Sequence, residues 1–223
     1  MKLKFSLSFV FSLYHRVSHL SILLNITQQK FSTDLRTHII PLNKVEGWVK
    51  TDREISHIKG NYFSVIGVKI ETTNREVAAW AQPIIQQRDS GLIAFVMKNI
   101  NGVLHFLVQL KLECGNMDLL ELAPTVQCIT GSYLTGSLPP YVKDCVNPSC
   151  AEIISDTMQS EEGGRFYRES NRNILLMANE SWPILQEDKY IWMTLSQIKQ
   201  FIKFSNFLNV EARSVLSVLP MVS

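Results

Sequence analysis

Residues 91–113, GLIAFVMKNINGVLHFLVQLKLE, are the stretch that decides the fold. Residues 91–97 are an apolar run of strand length, and Asn101-Gly102 is the typical turn dipeptide of a two-residue β-hairpin. From Val103 to Glu113 apolar and polar residues then alternate, as they do in a strand with one face on a core. The stretch therefore predicts an antiparallel hairpin whose second strand separates two chemically different faces.

The two faces of that second strand follow from the alternation. The apolar face carries Leu104, Phe106, Val108, Leu110 and Leu112, and the other face carries His105, Gln109, Lys111 and Glu113. The polar face has two interpretations, because an antiparallel sheet commonly exposes one face to water and because a dense polar row is also typical of a site.

The remaining elements extend the hairpin. Tyr62 to Ile70 and Asn173 to Ala178 are predicted strands, and the region from Pro139 to Cys150 is predicted as a loop. Strands followed by helices favour an α+β (mixed α/β) fold, with a mixed sheet packed against helices, over a doubly wound parallel sheet.

Two helices are predicted near the carboxyl end. Thr194 and Gln197 form a capping-box pattern that predicts a helix running to about Phe204. Asn209 is a favoured N-cap for a second helix, with Glu211 in its first turn.

Composition excludes several classes of protein. The chain has 223 residues, of which 46% are hydrophobic and 19% charged, so disordered and collagen-like proteins are excluded. Its 22 Lys and Arg against 20 Asp and Glu give no basic field, and we expect no nucleic-acid partner. The four cysteines form no C-x-x-C pair, so neither a zinc site nor a redox dithiol is indicated and reduced thiols are expected.

The amino-terminal segment raises the question of a membrane. Residues 3–26 are apolar behind Lys2 and Lys4, but Arg16 and two histidines interrupt the run before it reaches spanning length. No membrane helix is predicted; a removable signal, a strand, a floppy extension and a poorly chosen start codon remain open for this segment. We predict an extension over residues 1–35, disordered or signal-like, and one domain over residues 36–221.

Three polar strings interrupt the apolar pattern of this domain: QLKLECGN (109–116), LAPTVQCITGSY (122–133) and QSEEGGRFYRESNRN (159–173). Four further strings accompany them: WAQPII (80–85), GVLHFL (102–107), WMTLSQI (192–198) and NVEARSVLSVLP (209–220). Together, and in this order over about residues 36–220, they resemble the NDP-hexose 2,3-dehydratase family of deoxysugar biosynthesis.

The resemblance implies a fold, an activity and a location. Members are similar in fold to Nudix-type proteins and remove the hydroxyl from carbon 2 of a nucleotide-linked 4-keto-6-deoxyhexose, usually dTDP-linked. This is a carbon-oxygen lyase reaction that requires no metal and no redox cofactor, and a cytoplasmic enzyme is expected. Members typically contain two homologous repeats, whereas this chain is long enough for one and looks more like the second. A homodimer of single repeats is therefore expected.

The chemistry needs a base for the hydrogen on carbon 3, donors for the enolate oxygen and an acid for the departing hydroxyl. Glu113 or Glu161 is the candidate base. Tyr133 or His105 is the candidate donor to the oxyanion or leaving group, and Lys111 or Arg172 the candidate for polarising the carbonyl.

Substrate binding is assigned to the same polar strings. Arg165, Arg168 and Arg172 are candidates for the pyrophosphate, because guanidinium groups bind phosphate oxygens through paired hydrogen bonds. Trp80 and Tyr133 are candidates for stacking on the base. The other candidate binding residues are polar: Gln82, Gln109, Asn116, Thr125, Gln127, Gln159, Ser160 and Asn171. Each group also has a purely structural interpretation: the polar face of the strand can be solvated, the 159–173 string can be a charged turn, the arginines can form surface ion pairs, and the aromatic residues can belong to the core.

Two other functions compete with the dehydratase. A Nudix-type hydrolase needs several carboxylates on one helix, and the nearest match, from Gly115 and Glu121, has Ile129 and Thr130 where Arg and Glu belong. A non-catalytic nucleotide-sugar binding module, or a fragment of a two-repeat dehydratase, remains the alternative to the enzyme.

Overall fold

The computed structural model describes residues 19–60, 62–128, 138–182 and 188–219, whose strands form two sheets. The four-stranded sheet is antiparallel and contains, in order, β1 (Trp48–Lys50), β2 (Glu54–His57), β3 (Ser64–Glu71) and β4 (Ala79–Gln86). It joins the rest of the protein where Ile85 of β4 pairs with Phe166 and exchanges backbone hydrogen bonds with Arg165 and Tyr167.

The seven-stranded sheet is mixed and carries the core. Its strands are β5 (Leu92–Ile100), β6 (Val103–Leu112), β7 (Leu120–Ala123), β8 (Val126–Cys128), β9 (Ala151–Ser160), β10 (Ser170–Ala178) and β11 (Tyr190–Thr194). The main order is β11-β6-β5-β10-β9, and only β5 and β10 are parallel neighbours. The predicted hairpin is β5–β6, with Asn101 and Gly102 at positive φ in its turn, and the α+β class is confirmed.

The β5–β6 hairpin opens into a fork. The two strands pair only next to their turn, from Met97 with Phe106 to Ile100 with Val103. Beyond that point β7 pairs with β6 and β8 pairs with β5, so the two strands diverge around a β7–β8 arch. We call the turn side the closed end of the fork and the β7–β8 side its open end.

Thr125 lies at the joint of the fork. Its hydroxyl accepts a hydrogen bond from Val96 N (2.9 Å) and donates one to Leu107 O, so one side chain joins β5 to β6 where their ladder stops. At 1% exposed, this predicted binding residue is engaged with backbone on both sides.

Helices cover both faces of the sheet. The helices are α1 (His19–Ser32), α2 (Val142–Val146), α3 (Leu195–Phe201) and α4 (Val210–Leu216), with a 3-10 turn at Leu42–Lys44. Helices α1, α3 and α4 pack over Phe95, Phe106 and Leu175 on one face. On the other face α2 and Trp182 pack over the residues that point the opposite way.

Both predicted caps are confirmed. Three other predictions differ from the structure: the end of α3, the loop predicted from Pro139 to Cys150, and the segment before residue 36. Thr194 and Gln197 form a full capping box, but α3 ends at Phe201 because the next bonds, such as Phe204 N to Phe201 O (3.1 Å), tighten to three-residue spacing. Prediction of a plain loop from Pro139 to Cys150 is wrong, since α2 buries Val142 and Cys145 there.

The third difference lies before residue 36. Helix α1 falls inside the segment predicted as an extension, yet Ile22 and Ile26 are 1% and 2% exposed within the main core. Lys30 of this helix also pairs with Asp118 in the β6–β7 turn. The helix therefore packs with the domain, on the amino-terminal side of the boundary predicted at residue 35.

Candidate functional site

Polar side chains gather at the open end of the fork. Lys111, at the end of β6, donates from Nζ to Gln127 O (3.2 Å) and lies 3.8 Å from Glu113 Oε1. The same Glu113 oxygen accepts from Gln127 Nε2 (3.4 Å). Sequence spacing does not link Gln127 to the other two residues; the β7–β8 arch brings it beside them.

Helix α4 adds a second polar layer to this cluster. Asn209 caps the helix by accepting from Ala212 N through Oδ1 (2.9 Å), and its Nδ2 donates to Gln127 Oε1 (2.7 Å). Asn209 is held against the sheet by its backbone N–H, which donates to Leu122 O of β7 (3.0 Å). Asn209 and Gln127 are 5% and 7% exposed, so the pair is buried and satisfied.

A cavity of about 470 Å³ opens beside this layer. Its walls combine the end of β6 and its turn, the segment after α3 and the first turn of α4, and its size lies within the range of small-molecule sites. The polar residues on its wall are Glu113, Asn116, Glu121, Lys203, Ser205, Asn206, Asn209, Glu211 and Arg213. Two of its carboxylates, Glu113 and Glu211, come from different elements of the fold.

Glu211 differs from Glu113 in its environment. Burial, followed by the nearby charges of Glu113 and Glu161, raises the pKa of the Glu211 carboxyl, and its own backbone N–H and Lys111 oppose the rise. Glu113 is 39% exposed, and its Oε1 lies 3.8 Å from the Lys111 ammonium and 3.4 Å from the Gln127 amide nitrogen. The cavity thus presents two carboxyls in different environments: Glu211, whose pKa burial raises, and Glu113, which has a cation and an amide donor beside it.

A second pair of carboxyls lies at the start of β10. Asn171 donates to Glu161 Oε1 (2.6 Å) and accepts from Gly91 N (2.7 Å). The close packing favours glycine at position 91, because a Cβ would lie 2.5 Å from Asn171 Oδ1 and 3.0 Å from Cys128 O. Burial and the charge of Glu161 raise the pKa of Glu169 to about 7, and its Oε2 is buried without a partner among the described residues.

The structure does not bring His105 to this cluster. His105 precedes Glu113 by eight residues along β6, a separation of roughly 25 Å in an extended strand. It is 3% exposed and donates from Nδ1 to Val103 O (2.9 Å) near the closed end of the fork.

Trp80 and Gln82 lie on the four-stranded sheet. Trp80 Nε1 donates to Gln82 Oε1 (2.8 Å), and Arg75 lies over the indole with its guanidinium 5.4 Å from the ring centre. Gln82 in turn donates to Gly164 O (2.9 Å), which ties this sheet to the loop after β9. These residues border a separate cavity of about 370 Å³.

The three predicted pyrophosphate ligands differ in availability. Arg172 makes two hydrogen bonds to Asp156 (2.9 and 2.6 Å), which hold the pKa of that carboxyl below its usual range. Arg165 is exposed and 3.3 Å from Glu162, and Arg168 is exposed at a positive φ of 52°. None of the three is among the described residues that line the 470 Å³ cavity.

The other predicted residues have local partners. Asn116 holds the β6–β7 turn by donating to Lys111 O and Leu119 O (3.3 and 3.0 Å). Gln159 donates to Ser217 (3.3 Å), Ser160 pairs with Ser170, and Gln109 pairs with Tyr190 and Ala123. Tyr133 lies outside the described residues.

Sequence reasoning assigned no chemistry to Asn209, Glu211 or Glu169. The sequence pattern assigns Asn209 to the N-cap and Glu211 to the first turn of a helix. It places both residues at one helix end but does not indicate what that end contacts. Glu169 lies within a string already considered, but its burial next to Glu161 arises from the β9–β10 pairing, in which Glu161 N donates to Glu169 O (3.0 Å).

In the region that would hold a Nudix-type metal helix, the described residues 115–128 are not helical. Gly115 lies in the β6–β7 turn, and Glu121 belongs to strand β7. Within the described ranges, no group of three or more His, Cys, Asp or Glu side chains is placed to hold a metal ion. No helix in the same ranges is long and apolar enough to cross a membrane.

Three curated relatives are named dTDP-4-dehydro-6-deoxy-alpha-D-glucopyranose 2,3-dehydratase. The Saccharopolyspora spinosa protein is 40% identical over 188 residues, covering 83% of this chain and 39% of the relative. The Streptomyces violaceoruber protein is 41% identical (80% and 41% covered), and the Amycolatopsis orientalis protein 35% (91% and 43%). The chain thus spans about two fifths of the length of each relative.

A solved structure and a family model complete the comparisons. The crystal structure of an ADP compounds hydrolase matches with 12% identity and a TM-score of 0.41, covering 77% of this chain and 87% of that one. A TM-score this low leaves the Nudix-like part of the fold a prediction. The model of the NDP-hexose 2,3-dehydratase family matches residues 20–219, nearly the whole described chain. The chain therefore belongs to the NDP-hexose 2,3-dehydratase family.

Proposed function

We propose that this chain dehydrates a nucleotide-linked 4-keto-6-deoxyhexose at carbons 2 and 3, with a dTDP-linked 4-keto-6-deoxyglucose as the first substrate to test. Support comes from the family and from the names of relatives 35–41% identical to it. The observation that carries the proposal is the cavity with two carboxyls in different environments, one buried and one beside a cation, since a dehydration needs both an acid and a base.

The proposed mechanism assigns one role to each carboxyl. Glu113 acts as the base and removes the proton from carbon 3, which the ketone at carbon 4 acidifies. The electron pair forms the bond between carbons 2 and 3, and the bond from carbon 2 to its hydroxyl breaks. Glu211 gives its proton to that hydroxyl, which leaves as water, and the enol then becomes the 3,4-diketone.

Lys111 completes the proposed set. Its ammonium group lies 3.8 Å from Glu113 and stabilises negative charge that develops on the carbonyl oxygen. Glu161 adds negative charge near Glu211, which favours the protonated acid. Arg165 and Arg168 remain the proposed pyrophosphate ligands, supported by their exposure, and Trp80 and Tyr133 remain the proposed base-stacking residues.

The test is incubation of the purified chain with dTDP-4-keto-6-deoxyglucose, followed by mass spectrometry. We expect loss of one water per substrate, and a fall of about a thousandfold in kcat for Glu113→Gln, because a missing general base costs this order of rate. Glu71→Gln, at the exposed end of β3, is the matched control. Full activity of Glu113→Gln would contradict the assigned base.

The alternative, a nucleotide-sugar binding module, has one observation in its favour, namely that the chain spans about two fifths of each curated relative. It predicts that dTDP raises the melting temperature of the wild-type protein while no water is lost from the substrate. Water loss in the first assay would contradict it.

We also propose a cytoplasmic homodimer. Cytoplasmic location is supported by the four free cysteines. Dimerisation is supported by an outward apolar stripe on α1, where Leu20, Leu24 and Phe31 are 63%, 60% and 90% exposed at coiled-coil spacing. Analytical ultracentrifugation should show a dimer for the wild type and a monomer for Leu24→Lys; a wild-type monomer would contradict the proposal.

A further inference from the structure

The inference begins with the cap of helix α4. Asn209 Oδ1 is fixed as an acceptor, because it receives the N–H of Ala212 (2.9 Å). An asparagine amide has one oxygen and one nitrogen, so the Asn209 group that faces Gln127 must be the Nδ2 donor. The helix cap therefore sets the direction of the hydrogen bond that reaches the sheet.

The orientation of the Asn209 amide in turn fixes the orientation of the Gln127 amide. Its Oε1 accepts from Asn209 (2.7 Å), which leaves Nε2 as the group facing Glu113 Oε1 (3.4 Å). A reversed Gln127 amide would place two donors together at Asn209 and two acceptors together at Glu113. Both amides are more than nine-tenths buried, where water compensates poorly for such mismatches.

Gln127 also holds the second group beside Glu113. Its backbone oxygen accepts from Lys111 Nζ (3.2 Å), so the ammonium and the amide that approach Glu113 Oε1 are both fixed by one residue. Glu113 Oε2 has no hydrogen-bond partner among the described residues, and Glu113 lines the 470 Å³ cavity. One carboxylate oxygen is thus anchored and the other is left for chemistry.

We propose that Asn209 and Gln127 are positioning residues, which orient the Glu113 carboxylate at the cavity wall through a hydrogen-bond chain whose direction the α4 cap fixes. This inference rests on the proposed function for its catalytic meaning. Neither residue touches the reacting atoms in this scheme. Asn209 acts through Gln127, and Gln127 acts through Glu113.

The test separates two roles of Asn209: capping helix α4, and donating a hydrogen bond to Gln127. Ser and Asp cap helices about as well as Asn, so Asn209→Ser and Asn209→Asp keep α4 but remove the donor to Gln127. We expect each variant to lower kcat about tenfold, since misplacing a catalytic group costs rate even without unfolding. KM should change less than about twofold. The melting temperature should fall by a few degrees, because the buried Gln127 Oε1 loses its donor, so kcat is compared at a temperature where each variant is fully folded. Asn25→Asp, on the exposed side of α1, controls for the added charge.

A double-mutant cycle tests the route. In the Gln127→Leu background, Asn209→Ser should lower kcat no further, because the chain is already broken at its middle. An additive loss, or wild-type kcat for Asn209→Ser in an active protein, would overturn the inference.

A second measurement does not depend on turnover. The side-chain amide protons of Gln127, assigned by NMR through their loss in Gln127→Leu, should shift in both Asn209→Ser and Glu113→Ala. If the wild type fails to dehydrate the substrate, the proposed function fails. The NMR measurement then still tests whether the hydrogen-bond chain from Asn209 through Gln127 to Glu113 exists. An unmoved Gln127 signal in Glu113→Ala would overturn the inference.

Discussion

The two ends of the β5–β6 fork bury polar side chains in different ways. At the closed end Lys98, 7% exposed, donates to Trp182 O (2.7 Å) and Glu180 O (3.3 Å), and His105 donates to Val103 O. These partners are backbone carbonyls. At the open end Gln127, Asn209 and Glu113 bond to one another through their side chains, beside a cavity.

The hydrogen-bond partners of a buried polar side chain therefore indicate, better than its burial does, whether it has a structural or a functional role. A side chain that donates to backbone carbonyls supplies hydrogen bonds that the fold needs, and its removal leaves those carbonyls unpaired. A side-chain network at a cavity wall holds groups whose charge and orientation chemistry can use. The predictions below test this distinction, beginning at the joint between the two ends.

Thr125→Val is expected to have the largest effect. The substitution keeps the shape of the side chain but removes a hydroxyl that serves Val96 N and Leu107 O at the joint of the fork. Two buried backbone groups lose their partner, so we expect a loss of about 3 kcal/mol in the free energy of unfolding. Urea denaturation measures it.

The matched control for Thr125 is Thr157→Val on the exposed strand β9, which should change the free energy of unfolding by less than about 0.5 kcal/mol. Equal effects of the two valines would mean that the joint does not depend on its hydroxyl.

Lys98→Met tests the closed end. Its removal leaves two carbonyls without a donor, and we expect a loss of about 2 kcal/mol in stability, partly offset by the apolar replacement. Because the closed end lies far from the cavity, kcat for dehydration should be that of the wild type. Lys69→Met, exposed on β3, is the control for loss of the charge. A fall in kcat at full stability would place Lys98 with the functional groups instead.

The sequence predicted much of the fold because its signals there are local. An Asn-Gly turn, a capping box and an N-cap asparagine each act within a few residues, and all three are confirmed at Asn101, Thr194 and Asn209. Helix α2 was missed because it is five residues long and begins after Tyr141 at positive φ, with no side-chain cap to mark it.

The candidate site was only partly predictable, for a physical reason. Alternation along β6 assigns Lys111 and His105 to one face but does not state how far apart they lie along the strand or what pairs with each end. The fork is a long-range feature, because it depends on β7 and β8 entering between β5 and β6. The contacts among Gln127, Asn209 and Glu113 arise only after that pairing.

Glu169→Gln is expected to have the smallest effect, and only above a certain pH. In the folded protein burial and the nearby Glu161 raise the pKa of Glu169 to about 7, from 4.5 as the ordinary value. Between those values the folded state holds a proton that the unfolded state has lost, so this group's contribution to stability falls as the pH rises from about 4.5 to about 7.

Glutamine keeps the neutral form at every pH and removes this loss. We therefore expect Glu169→Gln to be more stable than the wild type by about 1 kcal/mol at pH 8, and no more stable than the wild type at pH 4. Urea denaturation at the two pH values measures the difference, and Glu152→Gln, on the exposed face of β9, is the control. A gain at pH 4 equal to that at pH 8 would show that the change acts through packing. No gain at either pH would mean that water or a bound cation already compensates the buried oxygen, and the raised pKa would then have no effect on stability.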